Sequence, residues 1–143
     1  MENIIVLLCS LKAQNRVGQK LCIDILDSVF EDLIRSMEEN DFKQSQRRLL
    51  VTKFIAEAYN HKLVSTDCVF GCLYKFINYD SHLGQEDKHM KSYDQNSIDS
   101  FRVRLACTLL DQLGPYFWKG QRRIKMDRYL IYLQKYILSK SYI

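Results

Sequence analysis

A chain of 143 residues with 47% apolar content is long enough for one domain with a real core and too apolar for a disordered segment. Only one Pro and five Gly interrupt it, which favours long helices over a sheet with many turns. The net charge of +4 hides a bipolar chain: residues 24–41 hold seven acids against one Arg, and removing the −6 of that segment leaves +10 on the rest.

In chain order, residues 3–13 read as an apolar helix whose Ile4, Ile5, Leu7, Leu8 and Leu11 exceed what one partner helix is expected to cover. Residues 15–18 break the pattern, and 19–39 form a long amphipathic helix ending at Asn40. On that helix Leu26, Phe30, Leu33 and Met37 recur at offsets of 4, 7 and 11 and form a packing stripe. Asp24, Asp27, Glu31 and Glu38, at offsets of 3, 7 and 14, leave a different flank together. Glu38 and Glu39 also oppose the helix dipole, since the last turn favours cations, so local stability does not account for them. The stripe reads either as a solvated face or as a surface that meets a basic partner.

A third helix follows Asp41, with Leu50, Phe54 and Ala58 at i, i+4 and i+8, Leu49 and Ile55 beside them, and a stop at Asn60-His61. Ser65 or Thr66 caps a fourth, carrying Val69, Cys72, Leu73, Phe76 and Ile77. Residues 80–97 are polar and are expected to form a long internal loop. Helix returns with Phe101, Leu105, Leu109 and Leu113 and stops at Gly114-Pro115. The last helix covers about 121–138, with Tyr129, Leu133, Tyr136 and Ile137 on its apolar side. About six helices in antiparallel pairs, over a single domain spanning 1–143, predict an all-α fold. An α-solenoid of helical hairpins and a compact bundle both fit the pattern.

No apolar run is long enough to cross a bilayer, and the start MENIIVLLCSLKAQNR carries an acid ahead of its short apolar stretch, so the chain is expected to be soluble, not secreted, and cytoplasmic. Cys9, Cys22, Cys68, Cys72 and Cys107 form no C-x-x-C pair and read as reduced thiols in a core. Cys68 and Cys72, spaced i, i+4 with His61 nearby, are a weak candidate metal set. His82 and His89 fall in the polar loop. No nucleotide-binding, zinc-protease or hydrolase motif is present, and neither catalysis nor a cofactor or small-molecule substrate is expected. After Pro115, Lys119, Arg122, Arg123, Lys125 and Arg128 stand beside Tyr116, Phe117 and Trp118 with one acid, Asp127, among them. Cations interleaved with aromatics can bind RNA backbone and stack bases, or can simply close a turn onto the core. A smaller basic group, Lys43, Arg47, Arg48 and Lys53, offers the same choice, with Arg47 and Arg48 placed to pair with nearby acids.

The runs Leu26-Asp27-Ser28-Val29-Phe30-Glu31-Asp32, Met37-Glu38-Glu39-Asn40, Gln46-Arg47-Arg48 and Lys53-Phe54-Ile55-Ala56-Glu57-Ala58-Tyr59-Asn60 resemble the third-middle-domain family of up-frameshift suppressor two scaffolds, which act in nonsense-mediated mRNA decay. The second half is similar in the same order, through Phe101-Arg102-Val103-Arg104-Leu105-Ala106-Cys107, then Gly114, Tyr116 and Phe117, then Tyr129-Leu130-Ile131-Tyr132-Leu133-Gln134-Lys135-Tyr136. The domain type is shared with the middle region of initiation factor four-G. The resemblance implies an α-solenoid of HEAT-like hairpins and a non-enzymatic module of a larger mRNA surveillance complex, in the cytoplasm and around the nucleus. It also implies a partner, the RNA-recognition-motif domain of up-frameshift suppressor three, with the family's acidic positions falling on Asp27, Glu31 and Glu38. Asp24 joins them on helical register alone. The family's helicase-binding segment lies outside the match, so no helicase contact is implied. The chain is shorter than the family domain, so its first and last helices are expected to expose apolar surface or to pair with another chain. The polar loop over 80–97 does not match in detail. The competing reading is an RNA-binding α-solenoid that uses residues 119–128.

Overall fold

The computed structural model describes residues 1–39, 41–78 and 92–140. Every described element is helical: α1 (Glu2–Gln14), α2 (Arg16–Glu39), α3 (Ser45–Asn60), α4 (Thr66–Asn78), α5 (Ser92–Gln112) and α6 (Gln121–Lys140), with single 3-10 turns at Phe42–Gln44 and Pro115–Trp118. The class is all-α. The chain divides into two compact units, Met1–Val69 and Phe70–Ile143, with the boundary inside α4.

In the first unit α1 and α2 form a hairpin around a single extended residue, Asn15. Its side-chain oxygen accepts the Gly18 amide at 2.8 Å, which satisfies a free N–H of the first turn of α2. Gly18 therefore lies inside the helix, not in the break expected over 15–18, and it is buried. Its role is close approach, because a Cβ there would sit 2.2 Å from the Leu11 carbonyl oxygen. One turn further along, Cys9 and Lys12 both act on the Cys22 thiol, whose proton affinity is pushed up chiefly by burial. Ile5 and Leu8 of α1 and Cys22, Leu26, Leu33 and Met37 of α2 are buried, with Phe30 half-buried. Ile4, Val6 and Leu7 stay exposed, so α1 does carry more apolar surface than its neighbours cover.

The turn into α3 is fixed by Asp41, whose carboxylate accepts the Lys43 amide at 3.0 Å and whose carbonyl accepts from the buried Arg48 guanidinium. The packing face of α3 is Leu49, Thr52, Ile55, Ala56 and Ala58, while Leu50 is 54% exposed and Phe54 half-buried. The expected Leu50, Phe54 and Ala58 face is thus rotated by about one residue. Thr52 can enter the core because its hydroxyl donates to the Arg48 carbonyl at 2.8 Å. The helix ends in a Schellman arrangement, with Leu63 N–H donating to Ala58 C=O and Lys62 N–H to Tyr59 C=O. Lys62 occupies the left-handed position with φ 60, where glycine is usual. Its carbonyl accepts from Lys12 Nζ at 2.8 Å, which ties α1 to the end of α3. The Ser65 hydroxyl then caps α4 by accepting the Cys68 amide, as anticipated.

In the second unit the α4 residues Leu73, Phe76 and Ile77, the α5 residues Leu105, Ala106 and Leu109, and the α6 residues Met126, Tyr129 and Leu133 are buried. Tyr129 hydroxyl donates to the Leu73 carbonyl at 3.0 Å, and Tyr132 bonds Asn78. These pairs advance together along both helices, so α4 and α6 run parallel. That is the relation of alternate helices in a chain of antiparallel hairpins. Burial holds the Tyr129 phenol protonated well above the ordinary tyrosine range, and Tyr74 meets its ring edge-on at 5.2 Å. Ile137, expected inside, is exposed. α5 begins at Ser92, inside the stretch expected as a loop over 80–97, and residues 80–91 of that stretch lie outside the described residues.

Two substitutions test these local constraints. Gly18→Ala forces a methyl into the Leu11 carbonyl and should destabilise the fold by about 1–3 kcal/mol in urea unfolding; an unchanged midpoint would show that the helices separate freely. Lys62→Gly relieves the left-handed strain and keeps the carbonyl that Lys12 uses, so it should stabilise by about 0.5–1 kcal/mol in the same assay.

Candidate protein-binding face

Helix α2 buries one side against its neighbours and presents the opposite side to solvent. Cys22, Leu26, Leu33 and Met37 set the buried direction. At about 100° per residue Asp24, Glu31, Glu38 and Asp27 leave the helix roughly 170°, 150°, 130° and 110° from it, within one arc of about 60°, and all four are exposed. The predicted stripe therefore lies together on one face. Among the described residues none of these four carboxylates has an ion-pair partner. Lys20 precedes Asp24 by four residues and Arg35 follows Glu31 by four, yet neither closes a pair within 4.0 Å.

Asp32, on the flank toward α3, behaves differently. It is half-buried and receives Arg47 of α3 at 2.8 Å, the pairing anticipated for that arginine. Arg48 lies inward and meets the Asp41 backbone, so of the smaller basic group only Lys43, Arg47 and Lys53 are on the surface. Below Asp24, Ser28 and Asp32 an open groove of about 430 Å³ has Ile25, Val29 and Val51 in its floor. None of these three aliphatic residues was distinguishable as a site residue from sequence, because the groove exists only where two helices meet.

The basic segment is arranged otherwise. Lys119, Arg122, Arg123, Lys125 and Arg128 are all exposed. On α6, however, Arg122, Lys125 and Arg128 span roughly 120° of arc and Arg123 falls outside it, so the cations ring the helix and do not line one stripe. Phe117 is fully buried against Phe70, with ring centroids 5.1 Å apart, and is not available to stack on a base. Trp118 is 42% exposed. Gly120, at φ 67, provides the left-handed turn between this aromatic segment and α6.

Among the described residues no group of three or more His, Cys, Asp or Glu is placed to hold a metal ion. Cys68 is exposed and Cys72 buried, while His61 is exposed with its Nδ1 3.0 Å from the Glu57 carbonyl. Cys107 is also exposed and Cys9 half-buried, so the expectation of five core thiols holds for Cys22 and Cys72. His82 and His89 lie outside the described residues. Among the described residues no helix is long and apolar enough to cross a membrane.

Comparison with known proteins places this arrangement in a family. The chain is 37% identical over 119 residues to Regulator of nonsense transcripts 2 of Homo sapiens, a match that covers 83% of this chain and 9% of that protein. It is 31% identical over 129 residues to Regulator of nonsense transcripts UPF2 of Arabidopsis thaliana, covering 90% of the chain and 10% of the relative. A 25% identity over 88 residues links it to Nonsense-mediated mRNA decay protein 2 of Saccharomyces cerevisiae, over 62% of the chain and 8% of the relative. The chain thus spans about a tenth of the length of the curated relatives it matches. The MIF4G domain model matches residues 3–142, and its fold is all-helical and HEAT-like. With that match and its relatives at 31% and 37% identity, the chain belongs to the MIF4G domain family.

Proposed function

We propose that this chain is the third middle domain of an up-frameshift suppressor two scaffold, and that the outward face of α2 receives the RNA-recognition-motif domain of up-frameshift suppressor three. The observation that carries this reading is the set of four exposed carboxylates on one face, Asp24, Asp27, Glu31 and Glu38, unpaired among the described residues. Like charges spaced four residues apart, as in Asp27 and Glu31, cost a helix a few tenths of a kcal/mol, and here neither Lys20 nor Arg35 closes an ion pair with them. A basic partner surface does so on binding. The relatives' names place them in nonsense-mediated decay, which supports a role in the same surveillance complex.

The binding mechanism is electrostatic capture followed by docking. Exposed carboxylates interact over about 8–10 Å at moderate salt, which speeds encounter with a cationic surface and repels anionic ones. The same field disfavours RNA at this face. Contact with RNA belongs to residues 119–128, if to any part of the chain, and Phe117 takes no part in stacking there.

Calorimetric titration with the RNA-recognition-motif domain is the direct test. Affinity should fall as salt rises, and Glu38→Arg should lose roughly 2–5 kcal/mol of binding while the helical circular dichroism is retained, because Glu38 lies off the buried side. Unchanged affinity in a folded variant would remove the assignment. Replacing Arg122 and Arg123 together by Glu should leave this contact within about 0.5 kcal/mol of wild type and weaken any binding of labelled RNA. Loss of both activities would show that the acidic and basic surfaces are one site.

A further inference from the structure

The groove beside the acidic face has two unlike ends. On α2, Asp24, Ser28 and Asp32 stand in one i, i+4 row, and Ile25 and Val29 in the next row toward the core. Val51 of α3 completes the floor. Arg47 crosses from α3 to Asp32 at 2.8 Å, so that end is already neutralised. Asp24, about 12 Å away along the helix, has no ionic partner among the described residues. The cavity of about 430 Å³ is open to solvent and floored by half-buried branched side chains.

We propose that this groove is a selectivity pocket that accepts an apolar side chain of a protein partner, with a Lys or Arg one or two residues along the partner chain settling on Asp24. The inference rests on the reading of α2 as a partner-binding face and adds to it what charge alone does not supply. A wholly apolar occupant would strip water from the Asp24 carboxylate and leave it without a counter-ion. An acidic segment would meet Asp24, Asp27 and Glu31 together. A cation alone would lay only its methylene stem on Ile25, Val29 and Val51, which covers less of the floor than a branched or aromatic side chain does. An apolar residue beside a cation satisfies both halves of the site.

Ser28 is exposed and its hydroxyl donates to the Asp24 carbonyl of its own helix at 3.0 Å, so Ser28→Trp fills the groove without touching the buried side of α2. With the RNA-recognition-motif domain as probe, this variant should bind about tenfold more weakly or worse, the worth of one buried apolar side chain. The slope of affinity against salt should match wild type, whereas Glu38→Arg flattens it. In methyl-labelled wild-type protein, the Ile25, Val29 and Val51 signals should shift as the domain is added. Binding with those methyls unmoved, or a folded Ser28→Trp variant within about twofold of wild type, overturns the pocket and leaves the acidic-face reading intact. Absence of wild-type binding at low salt overturns both. Methyl shifts that appear when the chain alone is concentrated would assign the groove to a second copy, which also overturns the proposal.

Discussion

The close approach of α1 and α2 at Gly18 is the constraint on which the outward face of α2 depends. With Leu11 carbonyl oxygen where a Cβ would be, the two helices meet at backbone distance, and α2 cannot rotate about its axis without opening that contact. Asn15 fixes the start of α2 at the same place. Once the rotation is set, 3.6 residues per turn distribute the rest: Cys22, Leu26, Leu33 and Met37 inward, Ile25 and Val29 toward α3, and Asp24, Glu31 and Glu38 outward. A single glycine thus orients three surfaces with different chemistry.

Energetics explain why the outward carboxylates are informative and Asp32 is not. The Arg47–Asp32 pair is largely solvated and contributes about 0–1 kcal/mol, like most exposed pairs. It adds little stability, but it cancels a charge at one end of the groove. The outward acids close no such pair, and Glu38 and Glu39 in addition face the negative end of the helix dipole. Each contribution is small, yet all of them act in one direction, against the isolated helix. Burial of the opposite side offsets them easily, since one fully buried Leu or Met is worth about 1.5–3 kcal/mol.

The helical class and the acidic stripe were legible because both follow from one-dimensional periodicity. Caps were legible for the same reason: Ser65 and the Asn60-His61 stop are local chemistry. Errors arose where the deciding neighbour is distant in sequence. Gly18 reads as a breaker until Leu11 is seen against it. Leu49 and Leu50 are adjacent and equally apolar, and the choice between them rests on Thr52, whose burial depends on a hydroxyl bond to its own helix. Ser92 opens a helix in a polar stretch where no hydrophobic period announces it. The groove was invisible because it depends on the pairing register of α2 and α3, seen in Arg47 opposite Asp32 and Val51 opposite Ser28, and no single-helix pattern contains that register.

On the proposed reading, long-range charge and short-range shape would divide the work of recognition on α2. The carboxylates act over a Debye length and cannot tell one basic surface from another, because a solvated ion pair tolerates many geometries. The groove acts only at contact, and its branched floor rewards a particular side-chain volume. Placing them on adjacent rows of one helix would let the first bring a proposed partner to the second, with the side-chain ordering cost shared at contact. Asp24 belongs to both rows: it faces outward with Glu31 and Glu38 and also rims the groove with Ser28 and Asp32. A partner cation there is held by the field of the whole stripe and at the same time fixes the register of the apolar side chain beside it.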